Sequence, residues 1–156
     1  MAELHPACVP LAFLLGTWRG TGMGAYPTIE DFSYAEEVSF THVGKPFVAY
    51  AQKTTDAGTG VPVHAEAGYL RPQGDGRVEL VVAQPSGIAE ILEGTVAGCD
   101  IQLASTAVLG TPTAKPVTAT QRRFWVNGEV LFSSLAMAAM GLELQHHVVS
   151  EMYRRA

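Results

Sequence analysis

Residues 15–28, with the sequence L-G-T-W-R-G-T-G-M-G-A-Y-P-T, decide the fold that we expect for this chain. The stretch contains four glycines, a tryptophan and a closing proline, at Gly16, Gly20, Gly22, Gly24, Trp18 and Pro27. Glycine has no Cβ, so a neighbouring strand or a ligand can approach its backbone closely. Tryptophan supplies a large apolar plug, and its ring N–H needs an acceptor when it is buried. The stretch therefore predicts a strand at a place where a β-sheet bends and closes.

Length and composition favour one domain with an apolar interior. The chain has 156 residues, of which 47% are apolar and 16% are charged, whereas about a quarter is usually charged. We therefore expect a single domain over residues 1–156 that buries a sizeable core. The net charge of −5 and the pI of about 5.4 argue against a nucleic-acid partner, because phosphate binding requires clustered Lys and Arg.

The first residues do not resemble a targeting segment. M-A-E-L-H-P-A-C lacks the basic start and the apolar block of a signal peptide, and no apolar run approaches the roughly 20 residues that span a bilayer. Cys8 and Cys99 are predicted to be reduced, buried thiols rather than a disulfide. Together these features predict a cytoplasmic protein that does not contact a membrane.

Ten short segments with strand patterns follow one another along the chain. A proline-containing apolar segment at residues 5–15 precedes them and predicts a helical turn. The predicted strands cover residues 17–24, 32–42, 47–55, 63–71, 77–84, 88–96, 101–108, 117–126, 130–137 and 142–155. The second strand shows a clear period of two, with one face formed by Phe32, Tyr34, Val38 and Phe40. The last segment fits a strand or a helix by pattern, and the pair Val148-Val149 favours the strand.

The turn signals predict how these strands are connected. Short turns separate the strands, and Asn127-Gly128 is the strongest hairpin signal. We therefore predict an all-β fold, a ten-stranded antiparallel up-and-down β-barrel, which also removes exposed sheet edges. A ten-stranded barrel is wider than its side chains fill, so we expect a ligand cavity. Alanines on the strands would leave the interior underpacked without a ligand, for example Ala51, Ala67, Ala83, Ala89 and Ala104.

Most enzyme motifs are missing from the sequence. Residues 20–27, G-T-G-M-G-A-Y-P, resemble a dinucleotide-binding loop, but Pro27 interrupts them and no helix pattern follows. The acidic neighbours Glu36 and Glu37 point to opposite faces of one strand. We expect one solvated carboxylate and one internal salt bridge from them, and no acid–base pair.

Histidine is the remaining candidate for chemistry. His146 and His147 are adjacent, so on a strand they face opposite sides and at most one of them points into the barrel. One inward histidine cannot build a zinc site, which needs three or four ligands. It is sufficient to hold a haem iron from one side. An apolar cavity with one inward histidine is therefore compatible with haem.

Seven pieces of the sequence carry a resemblance to a known family. They are G-T-W-R-G-T-G at 16–22, Y-P-T-I at 26–29, F-S-Y-A-E-E-V-S-F at 32–40, H-A-E-A-G-Y-L-R-P at 64–72, A-Q-P-S-G-I-A-E at 83–90, A-K-P-V at 114–117 and M-A-A-M-G-L-E-L-Q-H-H at 137–147. In this combination they are specific, and the chain resembles the nitrobindin family almost from end to end. The resemblance implies a lipocalin-like or fatty-acid-binding-protein-like barrel with haem b at one mouth.

The resemblance also implies which residues hold the haem. The family's axial histidine lies on the last strand, and its spacing from the methionine beside the haem matches His147 and Met137. The histidine and glutamine of the family's pocket match His64 and Gln84, and Thr28 is expected at the haem. His147 is therefore the expected metal ligand and the expected catalytic residue.

Three positions depart from the family pattern. Val63 stands where methionine is common, and Val148 stands where leucine is usual. His146 adds a second candidate ligand beside His147. His64 has two interpretations, a residue on the open side of the haem or a wall residue bonded to a neighbour.

The activity implied by the resemblance is that of a ferric haem protein. Such a protein binds nitric oxide and isomerises peroxynitrite to nitrate, as a haem-dependent peroxynitrite isomerase. The expected partners are haem, peroxynitrite and nitric oxide. Formation of a homodimer remains an open alternative.

Two other functions remain open. The first is a non-enzymatic carrier of a fatty acid or another apolar ligand, which would fix the carboxylate with a buried arginine or tyrosine. One of the neighbours Arg122 and Arg123 could face inward, although we expect solvated arginines here. The second is a nitric oxide sensor or carrier that keeps haem without turnover. Haem affinity tests the first alternative, and peroxynitrite kinetics test the second.

Overall fold

Ten antiparallel strands form a closed barrel in which each strand pairs with its neighbours along the chain. The computed structural model describes residues 2–156, and a 3-10 helix over Pro6–Leu14 precedes the strands. The strands are β1 Gly16–Tyr26, β2 Ile29–Thr41, β3 Val48–Asp56, β4 Pro62–Gly74, β5 Arg77–Ala83, β6 Ile88–Ala97, β7 Asp100–Gly110, β8 Val117–Asn127, β9 Val130–Ala139 and β10 Gln145–Arg154. The predicted fold is confirmed, including the helical turn and the strand at the C-terminal end.

The glycine-rich strand β1 closes the barrel by pairing with both β2 and β10. A Cβ at Gly20 would lie 1.9 Å from the carbonyl oxygen of Glu151, so β10 approaches β1 more closely than a side chain permits. A Cβ at Gly22 would lie 2.3 Å from Cζ of Tyr34, because the tyrosine ring lies across this glycine. The glycines therefore serve the closure that the sequence predicted.

The end of the barrel that the helix covers is filled with side chains. Trp18 is fully buried there, and its Nε1 donates a 2.8 Å hydrogen bond to the carbonyl oxygen of Leu14. This bond ties the helix to β1 and provides the predicted acceptor. The surrounding core consists of Cys8, Leu11, Leu14, Val38, Phe40, Val48, Tyr50, Leu70, Val78, Leu80, Val82, Leu92, Ile101, Leu103, Phe124, Leu131 and Met152. Burial of these apolar side chains is the main source of stability.

Two expectations about the smaller side chains need correction. The five alanines named above do not line the interior, because Ala51, Ala67, Ala83, Ala89 and Ala104 are exposed on the outer face. Both cysteines are free, as predicted, but Cys8 is buried and Cys99 is exposed. None of the helical structure within residues 2–156 has the length and apolar character needed to cross a membrane.

Candidate functional site

The barrel is open at the end opposite the helix and holds a cavity of about 620 Å³. This volume is within the range of roughly 300–1,000 Å³ that is typical of ligand sites. All five residues that the resemblance placed at the site line the cavity, namely Thr28, His64, Gln84, Met137 and His147. The competing candidate His146 is exposed and lies outside the lining.

A β-bulge directs His147 into the cavity. His146 pairs with Ala136 of β9 and Val148 pairs with Leu135, so His147 is an additional residue between two paired positions. Bulges change the direction of a side chain relative to the regular alternation of a strand. As a result His147 and Val148 both line the cavity, whereas strict alternation would turn one of them outward. The sequence predicted the inward histidine but contained no signal for the bulge.

Hydrogen bonding and burial prepare the His147 imidazole to act as a ligand. Its Nδ1 lies 3.1 Å from the carbonyl oxygen of Ala25, and a proton on Nδ1 leaves the lone pair on Nε2 for a metal. Burial lowers the pKa of His147 below its usual 6.5, although the bond to Ala25 opposes this shift. The imidazole is therefore neutral at pH 7. The rings of Tyr26 and Phe32 hold it edge-on, at centroid distances of 5.5 and 6.2 Å.

Tyr26 joins the strands on both sides of this histidine. Its hydroxyl accepts a 2.9 Å hydrogen bond from the backbone N–H of Ala139 and donates one of 3.2 Å to the carbonyl oxygen of Met137. The side chain thus reaches from β1 to β9 across the beginning of β10, where the bulge interrupts regular pairing. The motif Y-P-T indicated proximity to the site, but these partners lie more than 100 residues away and were missed.

Buried polar side chains form the floor of the cavity, and Arg122 is at the centre of one half of it. Its Nη1 donates to Glu66 of β4 at 2.5 Å, and its Nη2 donates to Glu90 of β6 at 2.5 Å. Its Nε also donates to Glu90, at 3.1 Å. The expectation of a solvated arginine is wrong for Arg122. It fits Arg123 better, which pairs with Asp100 on the outer face and is 43% exposed.

Two predicted site residues are attached to this half of the floor. His64 Nε2 lies 3.1 Å from a carboxylate oxygen of Glu66, and Gln84 Nε2 donates to Glu90 at 2.5 Å. Burial opposes ionisation of Glu66, but Arg122 and His64 outweigh it and lower the pKa of Glu66 to about 2. His64 thus lines the cavity while bonded to a neighbour, and its position relative to haem stays a prediction.

Glu36 occupies the other half of the floor and forms no ion pair with any of residues 2–156. It accepts hydrogen bonds from Ser150 Oγ at 3.1 Å and from Gln52 Nε2 at 3.3 Å. Burial raises the pKa of Glu36 to about 7, although both hydrogen bonds oppose the rise. The expected internal salt bridge of the acidic pair is therefore wrong. The carboxylate that forms ion pairs is Glu37, on the outer face, with Arg19 and with Lys53 at 3.2 Å.

The residues present fit a haem group. Within residues 2–156, no three His, Cys, Asp or Glu side chains are grouped so that they could hold a bare metal ion. One neutral imidazole with a free Nε2 is what a haem iron requires from the protein. The walls beside it carry apolar side chains that can contact a flat macrocycle, such as Ile88, Leu135 and Met137.

Comparison with known proteins gives consistent matches over almost the whole chain. A family model described as a THAP4-like, heme-binding beta-barrel domain matches residues 7–154. A protein of Mycobacterium ulcerans (strain Agy99) named peroxynitrite isomerase 2 is 52% identical over 99% of each chain. A protein of Nocardia farcinica named peroxynitrite isomerase is 49% identical over 97% of this chain and 92% of its own. The crystal structure of Rv2717c from M. tuberculosis has a TM-score of 0.93 and 46% sequence identity, and the match covers 99% of this chain and 100% of that one.

Proposed function

Because the chain belongs to the THAP4-like, haem-binding β-barrel family, the nitrobindins, we propose that it is a haem-dependent peroxynitrite isomerase. Relatives with about half of their residues identical over nearly the full length carry that enzyme name. The single observation that carries the proposal is His147, which lies half-buried at a bulge with Nδ1 bonded to Ala25. Bound haem would supply an iron centre at which peroxynitrite is converted to nitrate.

His147 would hold the haem iron through Nε2, and it is assigned as the catalytic residue. The carbonyl oxygen of Ala25 fixes the proton on Nδ1, so Nε2 keeps its lone pair. Tyr26 and Phe32 prevent rotation of the ring by packing against its edges. Burial keeps the imidazole neutral at pH 7, which removes competition between a proton and the iron.

The other predicted site residues are assigned to the walls of the haem site. Met137 and Thr28 line the cavity on the side of the barrel that carries His147. His64 and Gln84 are held by the carboxylates of Glu66 and Glu90, which fixes their orientation before any ligand enters. Their role is to enclose the reaction and limit the access of water, since a dry site strengthens electrostatic interactions with the bound group.

The floor of the cavity argues against a fatty-acid carrier. Such a carrier would fix the carboxylate of its ligand with a buried arginine or tyrosine, and Arg122 is the buried arginine of this cavity. Both edges of its guanidinium are already occupied by Glu66 and Glu90. A fatty-acid carboxylate would have to displace one of these buried acids, which would then lack a partner.

We also propose that the protein binds nitric oxide, that it is cytoplasmic and that residues 1–156 form a single functional domain.

We further propose that the protein forms a homodimer. On the outer face of β4–β6, Tyr69 pairs with Val81 and Val81 pairs with Ile91, and each is 41–52% exposed. The neighbouring row is Ala67, Ala83 and Ala89, so the patch is flat and uncharged. A second copy presenting the same face is its proposed occupant, and sedimentation of wild type against Val81→Glu tests this.

Stopped-flow kinetics with peroxynitrite test the enzymatic proposal. Haem-loaded wild type should accelerate peroxynitrite decay and increase the share of nitrate over nitrite. His147→Ala should lose this effect, and the matched control His146→Ala should retain it. A haem-loaded wild type that leaves both the rate and the products unchanged would reject the enzyme and favour a nitric oxide carrier.

A further inference from the structure

Two buried polar atoms on the cavity floor have no hydrogen-bond partner among residues 2–156. These atoms are Tyr34 Oη and Gln52 Oε1. Tyr34 is 3% exposed, and its ring lies across Gly22, where a Cβ would be 2.4 Å from Oη. Both side chains line the cavity, as does Glu36, which accepts a hydrogen bond from Gln52. Buried polar groups without partners are rare in folded proteins, so their position beside one carboxyl group indicates a place for a ligand.

The charges on the floor are unevenly distributed. Three carboxyl groups, those of Glu36, Glu66 and Glu90, and one guanidinium, that of Arg122, lie on the buried floor, whereas Lys115, which also lines the cavity, is exposed. Arg122 is fully engaged by Glu66 and Glu90. Glu36 receives hydrogen bonds from a hydroxyl and an amide but no ion pair within residues 2–156. The half of the floor around Glu36 therefore has an excess of negative charge when this carboxyl is ionised.

The unused polar atoms in this half of the floor are mainly hydrogen-bond acceptors, so they can receive N–H donors from a ligand. Gln52 Oε1 and the carboxylate of Glu36 can only accept, and Tyr34 Oη can accept as well as donate. A primary ammonium group has three N–H donors and a positive charge, and it is compact enough for a closed site. We propose that Tyr34, Glu36 and Gln52 form a binding site for the ammonium group of a small organic amine, whose alkyl part lies against the apolar cavity walls.

This site uses residues other than the proposed haem ligand His147, in the same cavity, and has the opposite charge preference to a fatty-acid carrier. The groups that face Glu36 are Ser150, Gln52 and Tyr34, with Glu66 and Arg122 further along the floor. Since burial raises the pKa of Glu36 to about 7, its carboxyl becomes ionised as the pH rises through neutrality. Binding of an ammonium group should therefore strengthen between pH 6 and pH 8.

Isothermal titration of the full chain before addition of haemin tests the proposal. The probes are n-butylammonium chloride and sodium butyrate, which have equal tail lengths and opposite charges, at pH 8. We expect saturable 1:1 binding of butylammonium and no binding of butyrate. Glu36→Gln should weaken the amine at least tenfold, and Tyr34→Phe, which keeps the ring over Gly22, should weaken it several-fold. The matched control Glu37→Gln on the outer face should bind as wild type does.

Three outcomes would overturn the site: no saturable binding of butylammonium, butyrate binding as tightly as the amine, or wild-type affinity in both Glu36→Gln and Tyr34→Phe. Thermal unfolding of each variant verifies that it is folded. If Glu36→Gln does not fold, the amine affinity of Tyr34→Phe decides the outcome. Haemin uptake by the same samples is an independent readout. Normal haemin uptake without amine binding rejects this site alone, whereas amine binding without haemin uptake rejects the haem proposal alone.

Discussion

The two ends of the barrel are formed by the same strands, but their inward side chains differ in kind. On β4, three inward positions in alternation are Leu70 in the packed end, Glu66 in the floor and His64 in the cavity wall. On β1 the packed end has Trp18, and the open end has a glycine where Phe32 approaches. The alternation of the strands decides which residues face inward. The residue types along each inward row then decide where the core ends and the site begins.

The packed end of the barrel provides most of the stability, and the open end contains the site. The packed end buries large apolar side chains, and that burial offsets the cost of an open cavity and of four buried charged or ionisable groups on the floor. Changes in the packed end should therefore affect stability and leave ligand binding intact. Changes in the open end should affect ligand binding more than stability, and changes in the floor should affect both.

The largest loss of stability is expected from a change in the floor of the cavity. Arg122→Leu leaves Glu66 and Glu90 buried without their cation, which should lower the free energy of unfolding by about 3–5 kcal/mol. Urea unfolding at pH 7 measures this. Arg123→Leu, which removes the neighbouring arginine and its exposed pair with Asp100, is the control and should cost about 1 kcal/mol or less. Equal losses in the two variants would contradict the description of the floor.

A matched pair of leucines compares the two ends directly. Leu80→Ala in the packed end should cost about 2–5 kcal/mol, because the surrounding core cannot fill the space. Leu135→Ala in the cavity wall should cost less, about 1 kcal/mol, because its side chain already borders open space. Haemin affinity should change in the opposite order. If Leu135→Ala is the more destabilising of the two, the division into a packed end and an open end is wrong.

The pH dependence of stability should identify Glu36. Its folded-state pKa of about 7 lies above the ordinary value of 4.5, so folding favours the protonated form. Its contribution to stability is present below about pH 4.5 and is lost as the pH rises through 7. The loss amounts to about 3 kcal/mol at most. Glu36→Gln should reduce this loss, as measured by unfolding at pH 5 and pH 8.

Glu66 provides the contrast to Glu36 within the same floor. Its pKa is lowered to about 2, so its contribution to stability is present above about pH 4.5 and is lost as the pH falls towards 2.

A Glu36→Gln variant whose stability falls between pH 5 and pH 8 as much as wild type would show that Glu36 is not the group responsible.

A smaller loss of stability than at the floor is expected from Tyr26→Phe at the open end. The change removes the acceptor of the Ala139 N–H and the donor to Met137, at a cost of about 1–2 kcal/mol. Because Tyr26 also packs against His147, haemin affinity should fall as well. Thermal unfolding and haemin titration of the same samples measure both. Tyr153→Phe, which removes a hydroxyl bonded to Glu151 on the outer face, is the control and should leave haemin affinity unchanged.

The fold could be predicted from the sequence because its signals are local. The period of two in β2, the Asn127-Gly128 turn and the glycines of β1 each depend on residues close together in the chain. The resemblance implied five residues at the site, and all five are among the residues that line the cavity. Their roles toward haem remain a proposal.

The floor and the bulge were missed because they depend on pairing between distant strands. The bulge at His147 arises only where β10 meets β9. The inward direction of Arg122 could have been read from the alternation with Phe124, a core residue two positions away. Its two partners, however, are 56 and 32 residues distant in sequence. Glu36 has no such partner among residues 2–156, and no local pattern of the sequence shows that.

Absorption spectroscopy during haemin titration tests the central claim most directly. Wild type and His146→Ala should each take up one haemin per chain and give the spectrum of a histidine-ligated ferric haem. His147→Ala should lose that spectrum and bind haemin more weakly, while its far-ultraviolet circular dichroism remains that of a β-barrel. An unchanged spectrum in His147→Ala, or no haemin uptake by wild type, would contradict the assignment of His147 as the ligand of this barrel.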